Sequence, residues 1–110
     1  MGVGTLVPCM KFLGCPDEHL HVEMSRILPV IDYISSELCG RTAIITSTTE
    51  GRYIRGNKHS EGLAVDLRII DLPIDVRSRY YFALNYALRK LCHVVYNANY
   101  IHVEYNPSDY

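Results

Sequence analysis

Lys58-His59-Ser60-Glu61-Gly62-Leu63-Ala64-Val65-Asp66-Leu67-Arg68 decides how this chain folds. From residue 63 to residue 69 the apolar side chains fall on odd numbers: Leu63, Val65, Leu67 and Ile69. The even positions carry Ala64, Asp66 and Arg68. A period of two marks a half-buried strand, with one face on a core and the other facing out. Asp66 stands on the outer face, beside an alanine small enough to leave room there. Tyr100-Ile101-His102-Val103-Glu104-Tyr105 repeats the pattern, with Ile101, Val103 and Tyr105 on one face and Tyr100, His102 and Glu104 on the other. Gly62 permits a tight turn into the first strand, which lets His59 fold back toward Asp66.

Two imidazoles and one carboxylate, His59, Asp66 and His102, form a common ligand set for catalytic zinc, whose fourth position is left to water. Zinc lowers the pKa of bound water enough to make a nucleophile near neutral pH. The set therefore points to a hydrolase, with Zn2+ as its cofactor.

His59, Gly62, Ala64 and Asp66, with His102 downstream, resemble the His-x-x-Gly-x-Ala-x-Asp…His signature of the zinc D-Ala-D-Ala carboxypeptidase and L-Ala-D-Glu endopeptidase family. Members cut the peptide stems of bacterial cell wall, and the Hedgehog signalling domain shares their fold and zinc ligands. The resemblance spans residues 44–107. Residues 45–51 are similar to the strand and loop before the first ligand in small phage-type members, and residues 101–107 to their closing strand. It implies that His59, Asp66 and His102 hold zinc and that peptidoglycan stems are the substrate. It also implies an α+β fold: a small antiparallel sheet with helices packed on one face and the zinc site on the other.

The chain departs from that family in two places. Members carry a glutamate a few residues before the last histidine as general base, and residues 96–101 here contain no carboxylate. Glu104 is the nearest substitute, because residues two apart on a strand share a face. It serves equally well as a carboxylate that orients a ligand imidazole. Phage-type relatives often have a second histidine where this chain has Tyr100, a donor to an oxyanion or a cap on the sheet. Members also hold a substrate carboxylate with an arginine. Arg52, Arg55 and Lys58 precede His59, and Arg52 is the choice for that role, since a planar guanidinium suits the pairing. A solvated loop is the alternative reading for each cation.

Length and composition fit one domain over residues 1–110, since a chain this short buries one core and not two. Net charge of −1 implies no strong attraction to nucleic acid or anionic membrane. No apolar run reaches membrane-spanning length, so no membrane insertion is expected, and a monomer is. The first eight residues lack the basic and long apolar segments of a secretory signal. Synthesis in the cytoplasm is expected, with action on the cell wall after release or lysis, as for a phage endolysin. The alternative function is a non-catalytic, zinc-stabilised binding module of the same fold.

The rest of the chain fills in the architecture. Residues 1–16 are a poorly patterned lead-in. Leu20, Met24, Ile27, Leu28, Ile31, Ile34 and Leu38 recur at helical spacing, with Asp17 as N-cap and Gly40 at the end. Pro29 predicts either a kink or a start near Ser25. A short strand over 43–47, a polar loop over 48–61 and a turn around Pro73 follow. A second helix runs from Val76 to Leu91, and strands over 94–96 and 100–105 are joined by a turn at 97–99. Tyr33, Tyr80, Tyr81 and Tyr86 fall in helices as core or rim, and Tyr53 near the site. Cys9, Cys15, His19 and His21 form a competing metal set, though their spacing matches no common finger. Reduced, partly buried thiols are the favoured state of the cysteines. His19-Leu20-His21-Val22-Glu23 echoes the last strand, which makes His21 a rival to His102 as ligand. The hairpin pattern before residue 100 favours His102.

Overall fold

The computed structural model describes residues 11–12, 21–47 and 62–107. Their order is β1 (Lys11–Phe12), α1 (Val22–Cys39), β2 (Ile44–Ser47), β3 (Ala64–Arg68), α2 (Ile74–Ala87), β4 (Cys92–Tyr96) and β5 (Tyr100–Tyr105). The sheet order is β1-β2-β3-β5-β4. β2, β3, β5 and β4 pair antiparallel, and the two-residue β1 joins β2 in parallel. The class is α+β, as the alternation and the two helical repeats predict.

Helix α1 buries Met24, Ile27, Leu28, Ile31 and Ser35, a single stripe at helical spacing. It runs unbroken through Pro29 and starts at Val22, not near Ser25. Its N-cap is His21, whose Nδ1 accepts from the Glu23 backbone N–H at 3.1 Å. Asp17 lies outside the described residues. Gly40 ends the helix at φ +71, the left-handed conformation that favours glycine. The exit is then fixed: Ser35 Oγ donates to the Arg41 carbonyl at 2.7 Å, and Asp32 accepts from Thr42 Oγ1 and the Ala43 N–H.

Helix α2 begins at Ile74, directly after Pro73, two residues before the periodicity predicts. It ends at Ala87 rather than Leu91. The Leu88 carbonyl accepts from both Leu91 and Cys92, turning the chain into β4. That turn places Cys92 and Val94 in the core, which outweighs another turn of helix. Tyr80, Leu84 and Leu88 join the α1 stripe and the inward residues Ile45, Val65, Leu67, Ile69, Val94, Ile101 and Val103 in one hydrophobic cluster. Tyr80 is buried, Tyr81 packs against the cluster, and Tyr33 and Tyr86 are exposed. None of the described helices is long and apolar enough to cross a membrane.

Candidate metal centre on the outer face of the sheet

The register builds the site. On β3 and β5, Asp66 pairs with His102, Ala64 with Glu104, and Arg68 with Tyr100. β4 extends two of these rows, placing Val95 beside His102 and His93 beside Glu104. The bonds Tyr105 N–H to Leu63 O and Ile69 N–H to Asn99 O continue the β3–β5 ladder at odd-numbered pairs. The even pairs are therefore the narrow kind, with Cα atoms about 4.5 Å apart and side chains closer. Asp66 and His102 meet across such a pair.

His102 Nδ1 lies 2.8 Å from Asp66 Oδ1, and Nε2 lies 3.1 Å from Glu104 Oε1. Each nitrogen of the imidazole thus faces its own carboxylate, and all three side chains are mostly buried. The Asp66 hydrogen bond raises the His102 pKa above its ordinary value. Burial opposes the shift, and Glu104 adds to it. With both nitrogens protonated the ring donates to both carboxylates; with Nδ1 bare it becomes a ligand that Nε2–H and Glu104 hold in orientation.

Asp66 and His102 thus fit a metal as two convergent donors of suitable type. Their present separation is that of a hydrogen bond. Two donors on one tetrahedral zinc lie roughly 3.4 Å apart at bond lengths near 2.1 Å, so an ion would part them by about 0.6 Å. Among the described residues no group of three or more histidines, cysteines and carboxylates could hold a metal ion. His59, the third expected ligand, lies outside the described residues, as do Arg52, Arg55, Lys58 and Tyr53. Cys9, Cys15 and His19 of the competing set lie outside them too, and His21 is the cap of α1. Cys39 and Cys92 are free thiols, and burial raises the pKa of both, that of Cys92 to about 12.

Gly62 carries φ +74, and its carbonyl accepts from the His21 N–H at 2.8 Å. The tight turn expected before β3 is present, and it is tied to the start of α1. Two residues of the same sheet face had no place in the expected site: His93, across from Glu104, and Arg68, across from Tyr100. Alternation in Cys92-His93-Val94-Val95 and in β3 carried the signal for both. No family model, curated protein or solved structure matches the chain.

Proposed function

We propose that the chain is a zinc-dependent peptidase acting on the peptide stems of peptidoglycan. The observation that carries this reading is the meeting of Asp66 and His102, from the two separated motif segments, at 2.8 Å across a narrow strand pair. In the proposed site His59, Asp66 and His102 hold the ion, and His102 binds through Nδ1. Zinc, when bound, polarises the scissile carbonyl and acidifies water. Asp66 fixes one side of the site from a rigid strand, and the odd-numbered core residues behind it hold that strand in place.

Glu104 has two roles open to it, and its contact with His102 Nε2 favours the orienting one. The variant Glu104→Gln separates them. As an orienting carboxylate, its loss weakens zinc binding by roughly 10–100-fold, with activity restored by excess metal. As general base, its loss leaves zinc in place and lowers the rate on the order of 10²–10⁴-fold. The same contact supports a second reading. With Glu104 engaged and no carboxylate in residues 96–101, a non-catalytic, zinc-stabilised binding module needs no proton carrier at all. Digestion of purified muropeptides with and without chelator decides between the readings. Chelator-sensitive release of a stem amino acid or peptide supports the enzyme. Binding without turnover in zinc-loaded protein supports the module.

A further inference from the structure

We propose that the exposed face of α2 pairs, antiparallel, with the same face of a second copy of the chain, in place of the monomer expected from the sequence. The inner face of the helix carries Tyr80 and Leu84 into the core. The opposite face carries large apolar side chains into solvent: Ile74 is 66% exposed, Phe82 66% and Tyr86 69%. Such a concentration on one helix face marks an interaction surface. Tyr81 props Phe82 edge-to-face at 5.1 Å and itself stacks on Tyr96 at 5.5 Å. The central ring is thus presented on an aromatic support.

The order of residues along this face identifies the occupant. Asp75, Ser78, Phe82, Tyr86 and Arg89 follow one another at intervals of three and four, which makes one seam along a helix. The seam is centred on Phe82. Ser78 and Tyr86 lie four residues to either side of it, and Asp75 and Arg89 lie seven. A two-fold axis at Phe82 therefore brings the two Phe82 rings together. It sets each Ser78 level with the other copy's Tyr86, and each Asp75 level with the other copy's Arg89. A two-fold interface must be complementary to itself; here small meets large and acid meets base. The two helix dipoles also oppose each other in this arrangement.

The charges are available for that exchange. Among the described residues Asp75 has one ion pair, Oδ2 to Arg79 Nη2 at 3.6 Å, too long for a hydrogen bond and well exposed on both sides. Arg89 Nη1 donates to the Tyr86 carbonyl at 2.7 Å, and the guanidinium lies over the Tyr86 ring, 4.2 Å from its centroid. This contact holds the cation on the exposed face beside Tyr86. An acidic peptide or an anionic membrane would attract Arg89 but repel Asp75, whereas a second copy satisfies both. The 14-residue helix is about 21 Å long. That is short for a standard interface of about 800 Å² per partner, so pairing is weak, with a dissociation constant on the order of 10–100 μM. Because α2 packs on the core side of the sheet, the partner leaves the Asp66–His102 face of each copy uncovered.

Sedimentation velocity on the full chain, loaded from about 1 to 500 μM, spans that constant. The wild type passes from monomer to dimer across the range, and Phe82→Glu, a change at an exposed position, weakens pairing by at least about tenfold. Asp75→Arg and Arg89→Glu each set like charges level with one another and weaken pairing roughly tenfold. An equimolar mixture of these two variants recovers it, because each supplies the charge that the other lacks. A wild type that stays monomeric, pairing that survives Phe82→Glu, or a mixture no tighter than either variant alone overturns the proposal. A monomer that instead sediments with phosphatidylserine vesicles assigns the face to a membrane surface and overturns it as well.

Discussion

The tripeptide His-Val-Glu occurs twice, as His21-Val22-Glu23 and as His102-Val103-Glu104, and the two copies do different work. In the first, His21 precedes a helix. Its Nδ1 accepts from the backbone N–H two residues on, and the Glu23 side chain lies 3.6 Å from Arg26 one turn along. In the second, the chain is extended, so the histidine and the glutamate share a face and their side chains meet. Helical backbone separates residues two apart, and strand backbone aligns them. What distinguishes the copies is their neighbours: Asp66 and β4 wait beside the second, while a stripe of core residues follows the first.

Removing each histidine should show the contrast at its largest. His102→Ala leaves Asp66 and Glu104 mostly buried without the ring between them, at a cost of about 1–3 kcal/mol in stability. That is a fall in melting temperature of roughly 4–8 °C per kcal/mol for a domain of this size. A melt unchanged by this substitution would mean that the imidazole between the carboxylates adds nothing to the fold.

Gly62 links the surroundings of the two copies, since the His21 N–H reaches its carbonyl just before β3, the strand that pairs with the second copy, begins. Alanine there must adopt a positive φ, at a cost of about 1–2 kcal/mol. Denaturant unfolding of Gly62→Ala with an unchanged midpoint would show that the turn relaxes without strain. The cap itself is worth less. His21→Ala should cost about 0.5–1 kcal/mol, and His21→Asn should restore it, because asparagine is a preferred N-cap. Equal loss in both variants would show that His21 acts through something other than its capping acceptor.

Much of this was legible from residue order alone, for definite reasons. The alternation in Leu63 to Ile69 and in Tyr100 to Tyr105 fixed two strands and the faces of Asp66, His102 and Glu104, because side-chain direction in a strand follows from position alone. The start of α1 was not legible. A histidine cap is uncommon, and Pro29 argued for a later start. The early end of α2 depends on the Leu88 turn, which serves the burial of Cys92 and Val94 in β4, a strand that starts two residues before the expected 94–96. The convergence of His102 on Asp66 in a narrow pair required the register, which no single segment contains.

The smallest effect probes the far end of β3. Arg41 holds the Asp71 carboxyl below its ordinary pKa, chiefly through its hydrogen bond; burial opposes the shift, and the Arg41 charge adds to it. The resulting stability is present above the unfolded carboxylate value near pH 3.9 and fades as pH falls through the lower folded value. The pair is partly exposed, so a few tenths of a kcal/mol is the expected size. Asp71→Asn should flatten the acid limb of the stability curve by that amount and leave the neutral limb in place. An acid limb identical to wild type would remove Asp71 from the account of β3.

Zinc stoichiometry in the two histidine variants tests the central claim most directly. Wild-type protein and His21→Ala should each hold about one zinc per chain, and His102→Ala should hold none, as expected if one copy is a cap and the other a ligand. Zinc retained in His102→Ala, or lost in His21→Ala, would contradict the assignment of the site to the Asp66–His102 face of the sheet.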